Sequence, residues 1–217
     1  MKHIIFVFLI SIAYTGFAQQ DSTLKWLQFG TAMNAYKGDF QGKAKYTSSF
    51  HIGLQFNKKR KLNGSVMLAA GTLNGEDRNF SFESSQTPKP TPNQFVKTDF
   101  FHLSYELHYN IIKTENLIVY LSQGIGLIRY TPKDSEGNTL EDQPETRAEG
   151  ESYRKESLML PTSVGAVYLL PNQFGIAVQG GYLNTLTDYL DNISTLGDSS
   201  DNDNVLQIRL GIYVPLR

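Results

Sequence analysis

Hydrophobic and polar residues alternate with a period of two along most of this chain. Near the end, Leu206, Ile208, Leu210, Ile212 and Val214 are interleaved with Gln207, Arg209, Gly211 and Tyr213. In the middle, Phe101, Leu103, Tyr105, Leu107 and Tyr109 alternate with Phe100, His102, Ser104, Glu106 and His108. Earlier, Phe50, Ile52, Leu54 and Phe56 alternate with Ser49, His51, Gly53 and Gln55. Successive side chains of a strand point to opposite faces, so each segment has one greasy face and one polar or glycine-bearing face. Eight such strands are predicted, over residues 24–35, 45–56, 63–73, 96–110, 117–130, 156–170, 174–186 and 204–216. They are about twice as long as the ~5–6 residues of an ordinary globular strand. A tilted strand needs only roughly 9–11 residues to cross the apolar core of a bilayer.

The connections alternate too. Residues 57–62, 111–116 and 171–173 are short turns, whereas 74–95, 131–155 and 187–203 are long and polar; the first outer loop, 36–44, is intermediate. That rhythm is expected of a barrel with short periplasmic turns and long extracellular loops. In hydrocarbon each unpaired backbone group costs several kcal/mol, so a spanning sheet must close on itself. The predicted fold class is therefore all-β: an eight-stranded, antiparallel, up-and-down transmembrane β-barrel. Eight strands enclose only enough space for side chains. Inward glycines (Gly53, Gly71, Gly124, Gly126, Gly175, Gly181, Gly211) leave room there for Gln55, Glu106, Gln179 and Arg209, which predicts a filled lumen without a solute-wide pore. Trp26, Tyr36, Tyr46, Tyr109, Tyr130, Tyr168 and Tyr213 fall near strand ends and read as an interfacial girdle.

The first residues read as an export signal. Lys2 and His3 precede an apolar run over residues 4–12, too short to span a bilayer, and Gly16-Phe17-Ala18-Gln19 offers small residues at a cleavage-like spacing. The expected organisation is a signal peptide over residues 1–19 and a barrel domain over 20–217. Composition narrows the rest. The 217 residues carry 20 Lys+Arg against 21 Asp+Glu and no Cys. The balanced charge argues against a nucleic-acid partner, and the missing thiols exclude disulfides, thiol catalysis, Cys-ligated zinc and a lipoprotein anchor.

With an export signal at Gly16-Phe17-Ala18-Gln19 and a final strand Leu206-Gln207-Ile208-Arg209-Leu210-Gly211-Ile212-Tyr213-Val214-Pro215-Leu216-Arg217, the chain resembles the small outer-membrane β-barrel domain family, the OmpA/OmpX-like eight-stranded barrels of Gram-negative bacteria. The resemblance implies an outer-membrane location with periplasmic termini and extracellular loops. It also implies recognition of the last strand by the barrel assembly machinery. Many relatives end on an aromatic residue, whereas this chain ends on Arg217. No catalytic residue is carried over.

Candidate chemistry is sparse. His102, Ser104 and Glu106 share a strand face, the minimum set for acyl transfer. The His-x-Ser element faintly resembles that of outer-membrane lipid A deacylases. These residues, however, are assigned to the lumen, away from any lipid substrate. The better reading is a lumen polar network of His102, Glu106, His108, Arg209, Gln207 and Gln55, with Glu106 pairing Arg209 or His108. Asn57-Lys58-Lys59-Arg60-Lys61 is a basic turn, read as a solvated hairpin that helps to orient the barrel, or as a contact for anionic polymers or headgroups. Residues 131–154 and 187–203 are rich in acids. Asp198-Ser199-Ser200-Asp201-Asn202-Asp203 offers oxygen ligands without the glycine and distal Glu of a calcium loop, so solvated, flexible loops are the reading preferred there. Thr87-Pro88-Lys89-Pro90-Thr91-Pro92 reads as an extended, stiff segment. No phosphate loop, zinc helix or dinucleotide fingerprint appears, and no cofactor or metal is expected.

The leading functional expectation is a non-enzymatic barrel whose acidic loops carry a structural or surface-interaction role. Its partners would be outer-membrane lipid and lipopolysaccharide, envelope proteins, and the assembly machinery during biogenesis. The alternatives are a subunit of an envelope secretion or surface machinery, a lipid A-modifying acyl hydrolase using His102, Ser104 and Glu106, and an exported soluble barrel of lipocalin type. The last lacks its Gly-x-Trp start, since Trp26 follows Leu24-Lys25.

Overall fold

A computed structural model of the chain describes residues 25–40, 45–57, 59–80, 93–142, 147, 150–197 and 202–216. The export signal, the proline segment 87–92, most of the 198–203 acidic run and Arg217 lie outside the described residues. Eight strands form: β1 (Lys25–Lys37), β2 (Tyr46–Phe56), β3 (Leu62–Glu76), β4 (Phe95–Lys113), β5 (Leu117–Lys133), β6 (Glu156–Leu169), β7 (Gly175–Thr185) and β8 (Asn204–Leu216). Each pairs antiparallel with its sequence neighbour, and β1 pairs with β8 from Lys25↔Leu216 to Lys37↔Asn204, closing the barrel.

The alternation decides the faces. On β4, Leu103 is 44% exposed beside His102 at 1%; on β8, Leu210 is 58% exposed beside Arg209 at 5%. The exposed side chains form an apolar wall, and the lumen takes the polar ones. A soluble protein would be penalised for such a wall, which hydrocarbon accommodates. Several strands run past their predicted ends because regular pairing continues into the loops. β4 reaches Lys113 through a bulge at Asn110/Ile112. The bulge turns both Ile111 and Ile112 outward, to 55% and 44% exposure, and shortens the β4–β5 connection to residues 114–116.

The aromatic girdle needs correction. Tyr46 and Tyr168 do point outward, but Trp26, Tyr36, Tyr130 and Tyr213 are buried, because their parity on β1, β5 and β8 is that of the lumen residues. They seal the two ends of the interior. At the turn end Trp26 meets Tyr213 edge-on, ring centroids 6.1 Å apart, within a cluster that includes Ile118, Tyr120, Val167 and Ala177.

One place in the wall breaks the ladder. Gln123 pairs with Thr162 and Gly126 with Met159, but the two residue pairs between them are not bonded; Pro161 sits there with no amide to give. The lipid-facing Gln123 side chain donates to the Pro161 carbonyl at 3.2 Å and accepts from the Thr162 hydroxyl at 2.9 Å. From β7, Asn184 donates to the Leu160 carbonyl at 2.8 Å. Three polar side chains in an otherwise apolar belt thus replace the bonds that proline removes.

Candidate functional site

The lumen is organised around Glu106. Arg209 donates from both terminal nitrogens, with Nη2 at 3.1 Å from each carboxylate oxygen and Nη1 at 3.2 Å from Oε1. Ser122 on β5 donates at 3.1 Å, and Ser104 and Gln179 complete the shell at 3.4 Å each. His108 Nε2 stands 3.7 Å from Oε2, an ion-pair distance beyond hydrogen-bond reach, and its ring stacks on Tyr120 with centroids 4.4 Å apart. Glu106 is fully buried. An ionised pair here persists only because most of the carboxylate's lone pairs are occupied. Gly124, opposite on β5, makes the room: a Cβ there would lie 2.9 Å from the Glu106 side chain.

Glu106, Arg209 and His108 therefore come together. The other expected members do not join them. Gln207 donates to Asn34 Oδ1 at 2.7 Å, in a separate layer with Ser49. Gln55 is buried without a partner for its Oε1 among the described residues, and His102 has none for either ring nitrogen; its ring lies parallel to Phe100 at 6.1 Å. Ser104 is bonded to Glu106, and no hydrogen bond joins it to His102. Ser122, Gln28 and Ser65 were not picked out from the sequence. Their signal was parity alone: Ser122 lies two residues from Tyr120 on the buried face, and Gln28 donates to Ser65 at 2.6 Å.

At the loop end the polar layers give way to a second apolar cluster. It combines strand residues such as Leu73, Phe100, Ile128 and Val205 with Phe40, Phe80, Leu140, Leu190 and Ile193. Each of the four connections at this end, the three long ones and the intermediate first, contributes a side chain. The described parts of these loops are accordingly folded onto the barrel mouth, which corrects the expectation of solvated, flexible loops. Their apolar anchors are isolated within polar sequence, so no periodicity marks them.

The lid over β7–β8 is held by one hydroxyl. Tyr36 Oη lies 2.6 Å from Asp191 Oδ2 and 2.7 Å from Asp203 Oδ1, and the Asp39 amide donates to it at 3.1 Å. The Leu190 amide donates to Asp203 and the Ile193 amide to Asp191, both at 2.8 Å, while Thr98 donates to the Leu190 carbonyl. A phenol owns one proton and can give it to one carboxylate only. For both short contacts to be hydrogen bonds, the second carboxyl must keep its own proton and donate it back. The environment agrees: burial, reinforced by Asp39 and Asp188, pushes the Asp191 carboxyl up to about 8, and burial beside Asp191 raises Asp203 well above the carboxylate range. Gly38 permits the approach, since a Cβ there would sit 1.8 Å from both Tyr36 Oη and Asp203 Oδ1.

Loops β5–β6 and β7–β8 are also tied to each other. Arg147 donates to Asn192 Oδ1 at 3.1 Å and to the Leu140 and Glu141 carbonyls at 2.9 and 2.6 Å, with its guanidinium 4.9 Å over the Tyr153 ring. Tyr189 donates to Glu151 at 2.7 Å. Among the described residues no group of three or more His, Asp or Glu is arranged to hold a metal ion.

A closed eight-stranded up-and-down barrel with an apolar exterior and a polar, ion-paired interior is the fold of small outer-membrane β-barrels. Solved structures agree. Ail, the attachment invasion locus protein of Yersinia pestis, crystallised with the heparin analogue sucrose octasulfate, matches 90% of this chain and 100% of its own at a TM-score of 0.52 and 14% identity. Neisserial surface protein A matches with the same TM-score and identity over 89% of this chain and 99% of its own. At such identity the likeness is one of fold. No protein-family model matches the chain, and no curated protein matches it by sequence.

Proposed function

We propose that the protein is a non-enzymatic barrel of the outer membrane of a Gram-negative bacterium, with termini and turns in the periplasm and long loops outside. In this reading the lumen conducts no solute and the loop end is a preformed surface platform. The observation that carries it is the second apolar cluster, to which all four loops at that end contribute. Loops that bury a core and clamp one another through Arg147 and Tyr189 present a fixed face, which lowers the ordering cost of binding. The partners proposed are outer-membrane lipid and lipopolysaccharide around the belt, envelope or external molecules at the platform, and the barrel assembly machinery during biogenesis. The arrangement of His102, Ser104 and Glu106 gives the hydrolase alternative no support, and no observation favours a machine subunit.

Mild detergent extraction of the native envelope tests this role, comparing the intact chain with a loop-platform variant, Arg147→Ala with Tyr189→Phe. The expected result is a partner set that depends on the platform, with no conductance steps from the purified barrel in a planar bilayer. Solute-sized conductance, or altered lipid A in cells expressing the intact chain but not Ser104→Ala, would contradict it.

A further inference from the structure

Among the described residues, the turn end of the barrel is cationic on one side only. Lys59, Arg60 and Lys61 lie exposed in the β2–β3 turn, Lys25 begins β1, and Lys113 ends β4, so the charge gathers over β1–β4. The β6–β7 turn on the other side, 170–174, carries no charged residue, and Glu115 is the one acid described in the three turns. No ion pair is found for Lys59, Arg60 or Lys61 among the described residues.

This patch is built. The Asn63 side chain accepts from the Lys59 amide and donates to the Lys59 carbonyl, both at 2.9 Å. Asn110 ties the neighbouring hairpin to the same turn, its amide donating to the Lys61 carbonyl at 2.7 Å and its side chain to the Arg60 carbonyl at 2.9 Å. Lys113 reaches across to Asn57 Oδ1 at 3.0 Å and to the Lys59 carbonyl at 3.1 Å. The bulge beside Asn110 leaves Ile111 and Ile112 both exposed on the hairpin next to these cations. Fixed positive charge therefore adjoins exposed apolar side chains of the wall at its turn end.

We propose that the turn end over β1–β4 is a binding platform for the phosphate groups of anionic phospholipids in the leaflet it faces. An acidic polymer lying deeper in the aqueous space is the less favoured partner, because the cations border the lipid belt directly. The proposal rests on the reading of the wall as membrane-embedded. Neighbouring backbone clamps fix the turn, so Arg60 and its flanking lysines converge on an anion with little ordering cost.

The test uses the full mature chain refolded into vesicles of phosphatidylethanolamine with or without phosphatidylglycerol, then released in mild detergent for native mass spectrometry of retained lipid. Phosphatidylglycerol should be enriched over phosphatidylethanolamine. In the triple variant Lys59→Gln, Arg60→Gln, Lys61→Gln the enrichment should fall by roughly ten- to a hundredfold. A charge-matched loop-end variant, Lys37→Gln, Lys97→Gln, Arg154→Gln, should keep it. Equal retention of the two lipids, an unchanged ratio in the turn variant, or loss in the loop variant alone would overturn the proposal. So would cation-dependent binding to peptidoglycan fragments without lipid preference. Heat-modifiable migration in electrophoresis reports insertion separately: a chain that never inserts defeats the membrane reading, whereas one that inserts without lipid preference defeats only this inference.

Discussion

Glu106 on β4 and Arg209 on β8 bridge the barrel at its full width, since three strands separate them in either direction around the wall. Neither is reachable from water, and each is the other's main compensation for burial. Glu106→Ala should therefore lower stability by about 3–5 kcal/mol, through the guanidinium left behind. Replacing both, Glu106→Leu with Arg209→Met, should return most of that loss. Urea midpoints of the refolded barrel check this; a double variant as unstable as the single one would show that the pair does more than neutralise itself.

The lid chemistry predicts a pH dependence with a definite sign. Asp191 and Asp203 have raised values when the lid is closed and ordinary ones when it is open. The closed lid thus binds more protons. The Asp191 contribution to its stability is full below about pH 4, declines as pH rises and is gone once pH has passed about 8, and Asp203 acts in the same direction. Hydrogen exchange at the Leu190 and Asp203 amides, corrected for intrinsic rates, should show protection falling from pH 6 to pH 9. Asp191→Asn should flatten the profile, and protection that rises with pH would refute the shared proton.

The seam at Pro161 makes a different prediction. Gln123→Leu is more apolar and faces lipid, yet it should destabilise the barrel by about 1–3 kcal/mol, because the Pro161 carbonyl loses its donor. Adding Pro161→Ala supplies an amide to the ladder and should recover part of the loss. A stabilising Gln123→Leu, measured in the same unfolding assay, would mean that the side-chain bonds there are incidental.

Gly38→Ala should loosen the lid without harming the barrel. Its added carbon collides with the Tyr36 hydroxyl and Asp203, whereas the strands below do not depend on it. Limited proteolysis should cut within residues 186–203 several-fold faster, with heat-modifiable migration unchanged; unchanged cleavage would place the latch elsewhere.

Much of this was legible in the sequence because a barrel wall is written in period two. Leu206 to Val214 on β8 and Phe101 to Tyr109 on β4 could be assigned to faces residue by residue, and the wall follows them. Glu106 and Arg209 were visible as inward charges of opposite sign. Residue type misleads where it outweighs parity: as aromatics near strand ends Trp26 and Tyr213 suit a membrane interface, although the position of each on its strand puts it inside. The lid was not legible. Phe40, Phe80, Leu140, Leu190 and Ile193 are single apolar residues in polar loops, brought together only by the closed barrel beneath them. Tyr36 is far in sequence from Asp191 and Asp203 and meets them only through that closure.

The account depends on which side of the wall meets lipid, and the one tryptophan of the chain offers a direct reading. Trp26 points into the lumen and is 3% exposed. In vesicles of brominated lipid its fluorescence should be only weakly quenched. In a Trp26→Phe background, tryptophans placed at Leu103, Ile176 or Leu210 should be strongly quenched by the bromines and unaffected by aqueous acrylamide. Strong lipid quenching of Trp26, together with acrylamide access at the three outward positions, would contradict the account at its root.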